Sequence, residues 1–417
     1  MKVCCLSLIN IKLENGNTRW FNPFLFNLYI FKYALQTVKI LAIVDFGLNE
    51  KTGGYKRNLE IMKRLPRLSN VTIIPSLRNF RLYKYRKDLI SLLEELDSTP
   101  PYVIELLEKT NDEREFIQGL KEEKFDVAVV YSNSSENIEL ARKITKSPVG
   151  VQLQLEPFYA NLSTLFRIKF RGVTGRAVKR FKEAIEESRR EEEKWKRLIS
   201  SNSINFIISV SKVPLINSGL DSLLPYRVTK PGNAFDKDLL KFRKNEKEDY
   251  AVYFTRLMPE KGLFEIPLIW RKLKKDIKLY VMGQFLDEKD KEDFFKLIRR
   301  LDVNIEYLGF KEGEELYSIV SKALFTVYPS HYDSFSLVVL ESLALGTPVF
   351  AYDTLAIREI YSSIKGVHMV KEDDIKGMAE EISKFKGEEV PVPLFYSSWD
   401  RVAEAELKNI ENLLRHS

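Results

Sequence analysis

The sequence predicts an α/β protein made of two Rossmann-like, doubly wound domains that face one another across a cleft. Three observations predict it. Short apolar runs suited to buried parallel strands alternate with amphipathic, charge-laced helical segments. The alternation comes in two series, separated by a polar break over residues 236–248. The length of 417 residues also exceeds what one hydrophobic core ordinarily organises.

The first series opens at Lys39 to Val44, a continuous apolar run that reads as a buried strand. A loop from Asp45 to Gly54 follows, then a helix with Leu59, Met62 and Leu65 on one side. Further strands are expected over Val71–Ile74, Phe125–Tyr131, Pro148–Leu153 and Phe206–Val210, with a long charged helix over Arg176–Leu198. The second series runs as strand Tyr250–Phe254, helix Leu263–Leu273, strand Ile277–Met282 and helix Glu288–Leu301. It continues as strand Ile305–Leu308, helix Glu314–Ser321, strand Phe325–Tyr328, helix Phe335–Leu345 and strand Val349–Ala351, with two more helices to close. The expected division is therefore 38–236 for a first Rossmann-like domain, 237–398 for a second and 399–417 for a terminal helix. Residues 1–37 lack a clear period and read as a dispensable extension, Val38 resembling a usual chain start.

Composition narrows the class. The chain is 44% apolar and 30% charged, an ordinary globular balance. Its most apolar stretch, Phe21 to Leu35, is broken by Pro23, Asn27 and Lys32 and reads as too polar to span a membrane. The two cysteines, Cys4 and Cys5, are adjacent and suit neither a structural disulfide nor a zinc site, so a cytoplasmic location is expected. With only His331, His368 and His416, a multi-histidine metal centre is not expected. A net charge of +7 suits an anionic partner: a nucleotide, a phospholipid surface or nucleic acid. No nucleic-acid-binding module is evident, which sets that partner aside.

Neither a P-loop nor a GxGxxG turn opens either series, so Gly53 and Gly54 do not belong to an ordinary dinucleotide site. The chemistry concentrates in residues 328–349, YPSHYDSFSLVVLESLALGTPV. This reads as a strand end, a polar loop and a helix starting near Ser334, closed by Gly346 and Pro348. Free backbone N–H groups at such a helix start favour a phosphate. Asp333 either caps the helix or contacts a ligand. Glu341, among Leu337, Leu340 and Leu345, is a carboxylate that needs a partner: a ribose diol, or a structural Arg or Lys.

This segment resembles the donor-binding motif of the retaining family 4 glycosyltransferases, in which two acidic residues are separated by seven others. Here they are Asp333 and Glu341, with Asp in place of the commoner Glu and Ser336 in place of the usual Gly. Residues 254–262, FTRLMPEKG, are similar to the family element whose Arg and Lys hold the donor diphosphate, which maps onto Arg256 and Lys261. Residues 281–284 (VMGQ, containing Gly283), 308–310 (LGF) and 231–236 (PGNAFD) resemble further signposts, and Gly53 and Gly54 resemble the glycine loop of the opposite domain.

The resemblance implies a GT-B fold and a hexose taken from a nucleotide-diphosphate sugar with retention, passed to an unknown glycan or lipid-linked acceptor. It implies Arg256, Lys261 and Asp333 in the catalytic role, and Gly53, Gly54, Gly283, Ser334, Phe335, Ser336, Leu337 and Glu341 against the donor. No cofactor or metal is implied, because the two cations supply the positive charge. The acidic pair does not read as a glycosidase acid and base, since the helical rise sets them roughly 12 Å apart. The family's N-terminal-domain histidine is missing, and Gln152, Gln154 or Glu156 is expected in its region. Finally, residues 165–182 carry seven cations (Arg167, Lys169, Arg171, Arg176, Lys179, Arg180 and Lys182) among Leu165, Phe166, Phe170 and Phe181. That stretch reads either as a solvated helix face or as a peripheral contact with the inner face of a membrane. A nucleotide-sugar epimerase and a non-catalytic nucleotide-binding protein remain the alternative readings.

Overall fold

A computed structural model describes residues 9–12, 18–21, 38–48 and 52–415. Strands β1 (Ile9–Lys12) and β2 (Thr18–Phe21) form a small antiparallel hairpin, and the rest of the extension 1–37 lies outside the described residues, as do Cys4, Cys5 and His416.

Two six-stranded parallel sheets organise the chain. The first holds β3 (Lys39–Val44), β4 (Asn70–Pro75), β5 (Val127–Tyr131), β6 (Val149–Leu153), β7 (Phe206–Ser209) and β8 (Tyr226–Val228) in the order β4-β3-β5-β6-β7-β8. The second holds β9 (Glu248–Phe254), β10 (Lys278–Met282), β11 (Ile305–Gly309), β12 (Ala323–Tyr328), β13 (Val349–Tyr352) and β14 (Val367–Val370) in the order β11-β10-β9-β12-β13-β14. Each sheet has a point where successive crossovers depart in opposite directions, between β3 and β5 in one and between β9 and β12 in the other. Loops leaving the carboxyl ends of strands diverge there and open a crevice.

The sequence signal for the inner strands was strong because both faces are covered: all five residues of β5 and of β6 are buried. The edge strands β8 and β14 carry no such signal. Tyr226–Val228 is half-exposed and Val367–Val370 mixes His368 with apolar residues, so their pairing is decided by the neighbouring strand.

Five helices position the site: α1 (Gly53–Met62), α2 (Leu162–Lys169), α3 (Thr174–Ser200), α4 (Leu337–Ala344) and α5 (Trp399–Leu414). The terminal helix does not stand alone. Trp399, Val402, Ala403, Ile410 and Leu413 of α5 lie in the same buried cluster as Ile40 to Val44, so the chain crosses back onto the first sheet. Ser398 caps α5, accepting a hydrogen bond from the Arg401 amide.

A wholly buried ion pair ties this return. Arg57 of α1 pairs with Glu406 of α5, both side chains fully shielded from solvent, and its Nε donates to the Gly232 carbonyl at 2.8 Å. Removing one partner strands the other charge in the interior, which typically costs 3–5 kcal/mol, whereas replacing both with apolar groups is often near neutral. Arg57→Met is therefore expected to lose about 3–5 kcal/mol in chemical denaturation. The double variant Arg57→Met/Glu406→Leu should recover most of that loss.

Candidate functional site

The donor-side half of the site forms where β9 and β12 end. Arg256 leaves β9 and is exposed, with no hydrogen bond or ion pair among the described residues. Lys261 lies five residues further on and is buried. Its Nζ donates to Asp333 Oδ1 at 2.8 Å and to the Tyr332 carbonyl at 2.6 Å. Burial alone would lower the Lys261 pKa, but the charge and hydrogen bond of Asp333 together with Tyr328 outweigh it, and the ammonium is held above its ordinary value. Lys261 is thus no solvated turn lysine. Asp333 Oδ2 also accepts from the Tyr328 hydroxyl at 2.8 Å, so the two residues expected to serve phosphate and sugar separately are locked to one another.

The motif helix begins later than expected. Ser336 has φ of 64° and ψ of 81°, and α4 starts at Leu337 rather than near Ser334. The left-handed conformation explains why glycine suits this position, and serine there carries a strain of order 1–3 kcal/mol. The Tyr361 hydroxyl donates to the Ser336 carbonyl at 2.8 Å and holds the turn. Phe335 is buried against Tyr361 and Tyr396, so its ring belongs to the core and only its backbone can face a donor. Gly283 answers to the backbone: with φ of 143°, a Cβ there would sit 1.9 Å from the Thr255 carbonyl oxygen. Ser334 is buried in the loop between Asp333 and Phe335.

The acceptor-side half meets this surface from the end of β3. A Cβ on Gly53 would come within 2.8 Å of Leu337 Cδ1, so the start of α1 packs directly over the start of α4. Gly54 lies under Gln154, whose Oε1 is 3.0 Å from where a Cβ would be, and Gln154 Nε2 donates to Asn58 Oδ1 at 2.6 Å. Of the three residues expected in the region of the missing histidine, Gln154 therefore adjoins the glycine turn. Gln152 is buried inside β6. Glu156 is buried and accepts from the Tyr332 hydroxyl at 2.9 Å across the cleft. Burial raises the Glu156 pKa, opposed by hydrogen bonds from Tyr159, Tyr332 and Asn217.

Glu341 does have a cationic partner. Lys56 of α1 reaches across to it, 3.6 Å from Glu341 Oε1 and 2.9 Å from Asp236 Oδ2. Sequence reasoning passed over Lys56. Its signal was slight: a single lysine three residues after Gly53, within one turn of the glycine pair.

The cations of the basic stretch 165–182 prove to be largely paired within the molecule. Arg167 pairs with Glu372 at 2.7 Å, Lys169 with Glu260 at 2.9 Å and Arg171 with Asp373. Arg176 and Arg180 both grip the buried Asp290, at 2.8 and 2.6 Å. All four acids belong to the half built on the second sheet, so α2 and the start of α3 strap the two halves together. The stretch does not present seven outward cations, because five are neutralised by acids the sequence places 91 to 205 positions away. Among the described residues, Lys179 reaches only Glu183 on its own helix, at 3.8 Å.

His331 stands at the centre of this strap. Its Nδ1 is 2.9 Å from Glu372 Oε1 and its Nε2 is 3.0 Å from Glu265 Oε1, a geometry that calls for a proton on each nitrogen. Burial lowers its pKa, but hydrogen bonds to Glu265 and Glu372 outweigh this and hold it above the ordinary 6.5. Glu265, His331 and Asp373 lie close enough to share a metal ion, yet Arg171 already supplies positive charge among them, 3.9 Å from Glu265.

Two parallel Rossmann-like sheets, meeting through their strand-end loops over a shared crevice, define the GT-B architecture. Structural likeness agrees. The Anabaena protein HepE, solved in complex with UDP, aligns with a TM-score of 0.55 at 13% identity over 91% of this chain and 98% of its own. Sucrose-phosphate synthase from Thermosynechococcus elongatus aligns at 0.54 and 13% over 91% and 97%. Residues 235–392, which carry the second sheet, match the model of the family described as glycosyl transferases group 1. An uncharacterized glycosyltransferase of Methanocaldococcus jannaschii is 29% identical over 155 residues, which are 37% of this chain and 42% of the relative. The O-antigen chain mannosyltransferase B of Escherichia coli is 27% identical over 118 residues, 27% of this chain and 31% of its own. The chain thus spans well under half the length of these curated relatives.

The strap has a defined pH window. A raised His331 pKa means its contribution is complete below 6.5 and fades as pH climbs through the raised value. Glu372 and Asp373, held below 4.5 and 3.8 by His331 and Arg171 against the opposing effect of burial, contribute above those values and lose it on acidification. Thermal unfolding followed against pH should therefore decline above pH 6.5, and His331→Gln should abolish that alkaline decline while keeping the acid one.

Proposed function

We propose that this chain is a glycosyltransferase that moves a hexose from a nucleotide-diphosphate sugar to a saccharide or lipid-linked acceptor, with retention at the anomeric carbon. The observation that carries the proposal is the convergence of Arg256, the Lys261–Asp333 pair and the start of α4 at the β9/β12 crevice, with Gly53 packed over Leu337 from the other half. The match over residues 235–392 supports it, as does the UDP held by the structurally similar HepE.

Departure of a diphosphate leaves negative charge on its oxygens while the anomeric carbon turns positive. Arg256 offers an unengaged planar fork for those oxygens, and Lys261 a compact second charge. The first amides of α4 add oriented donors without help from a metal. In this reading Asp333 contacts the transferred sugar once Lys261 turns towards phosphate, and Glu341 accepts from the ribose hydroxyls. Gln154 beside the glycine turn takes the region of the missing histidine.

Screening UDP-, GDP- and ADP-sugars by thermal stabilisation, then measuring turnover with saccharide and lipid-linked acceptors, tests the reading. Arg256→Ala is expected to lower turnover about 100-fold. Failure of every nucleotide sugar to bind would sink the proposal, and binding without turnover on any acceptor would favour the non-catalytic alternative.

A peripheral membrane contact at the cytoplasmic face fits a lipid-linked acceptor, but through apolar rather than charged groups. Leu162, Phe166, Val173 and Val178 are exposed beside Lys179 and Lys182, and no described helix is long and apolar enough to cross a bilayer. Sedimentation with anionic vesicles should show binding that Phe166→Ser/Val178→Ser weakens more than Lys179→Ser/Lys182→Ser; the reverse order would contradict this mode.

A further inference from the structure

Glu341 is a carboxylate of the crevice whose cationic partner comes from the other half of the chain. It lies on α4 among Leu337, Leu340 and Leu345, with its side chain 16% exposed. Four titratable groups face it from four elements: Lys56 on α1, Asp236 in the interdomain turn, Tyr317 on the helix Gly313–Lys322, and Tyr361 on the helix Leu355–Tyr361. Lys56 is the one cation among the described residues within ion-pair distance. It does not float there: Asp236 Oδ2 holds its Nζ at 2.9 Å, and Asp236 Oδ1 in turn accepts from Trp399 Nε1 of α5 at 3.0 Å. A chain of contacts from α5 through the interdomain turn thus aims Lys56 at Glu341.

We propose that Lys56 is a positioning residue for the donor, completing the ribose end of the site from the opposite domain by neutralising and fixing the Glu341 carboxylate. The inference rests on the reading of Glu341 as the ribose contact and deepens it. A ribose diol offers two hydroxyl donors, and a carboxylate accepts both, whereas a protonated carboxyl spends one oxygen as a donor and accepts less well. Burial favours the protonated form of Glu341 and raises its pKa, with Lys56 opposing the shift and Asp236 adding to it. Lys56 itself stays charged, because Glu341 and Asp236 outweigh the burial that would lower its pKa. The consequence is that donor affinity depends on the two domains meeting, although every donor-contacting acid and the diphosphate cations lie on one of them.

Calorimetric titration of the full chain with UDP, GDP and ADP, taken with the nucleotide that wild type binds best, tests this from pH 4.5, the ordinary carboxylate value, upward to alkaline pH. Lys56→Met should weaken binding about tenfold at the acid end, the loss of one charge-assisted hydrogen bond, and the deficit should narrow as pH rises and Glu341 ionises unaided. Lys56→Arg, which keeps the charge, should bind within a few-fold of wild type. Glu341→Gln should weaken binding at all pH values, and adding Lys56→Met to it should cost nothing more. The inference is overturned if Lys56→Met binds like wild type throughout, or if its deficit is the same at every pH and persists in the Glu341→Gln background. If wild type binds but Glu341→Gln is silent, the ribose assignment fails and the role of Lys56 with it. Absence of nucleotide binding in wild type would instead overturn the functional reading itself.

Discussion

The buried pair of Arg57 and Glu406 is the constraint on which the arrangement of the site depends. A charge without solvent tolerates little movement away from its partner, because separation costs both the attraction and the desolvation already incurred. Arg57 also donates to the Gly232 carbonyl, so one side chain fixes α1, the crossover between the halves and the returning helix α5 at a single point. Its neighbour on the same helix, Lys56, then points away from that anchor towards Asp236 and Glu341. Adjacent residues on α1 thus act in opposite directions: one is immobilised in the interior, and the other is presented to the crevice.

The second organising feature is electrostatic and spread over the surface. An excess of seven positive charges suggests a protein looking for an anionic partner, yet a large part of the most basic segment is satisfied within the molecule. Isolated, partly exposed ion pairs contribute little, but this set shares partners: Asp290 holds two arginines, and Glu372 lies against Arg167, Arg171 and His331. Shared partners lower the entropy lost per contact and make the strap a unit. Because Arg167 also donates to the His331 carbonyl at 3.1 Å, the strap is continuous with the loop that carries Asp333. Domain contact and donor-site geometry are consequently linked through one short segment, residues 329–333.

The motif segment shows how local chemistry and tertiary contact divide the work. Its loop conformation rests on nearby residues: Tyr328 and Lys261 both hold Asp333, and Tyr361 holds the turn at Ser336. What lies above the loop comes from far along the chain, with Gly53, Lys56 and Glu156 brought there by the first sheet. The catalytic reading needs both sets. Residues near the second sheet supply the cations and the helix start, and those carried by the first sheet close over them.

The alternation of buried strands and amphipathic helices, and hence two parallel sheets, was legible in the sequence because strands such as β5 and β6 are covered on both faces and their composition shows it. The ordered spacing of Arg256, Lys261, Asp333 and Glu341 was legible for a similar reason: these residues sit at strand ends and on one helix, where local order sets their positions. The short edge strands β8 and β14 were not, since their pairing depends on neighbours rather than on their own residues. Nor was the left-handed turn that starts α4 at Leu337, which a serine does not announce. Partners were the least legible of all. Arg57 with Glu406, Lys56 with Glu341 and Arg167 with Glu372 join positions 349, 285 and 205 residues apart, and no local pattern marks which of many charged residues will meet. By itself the sequence determined the two parallel sheets and the spacing of the motif residues; only the tertiary structure decided which charges face solvent, because pairing depends on distances that exist once the sheets have brought both halves together.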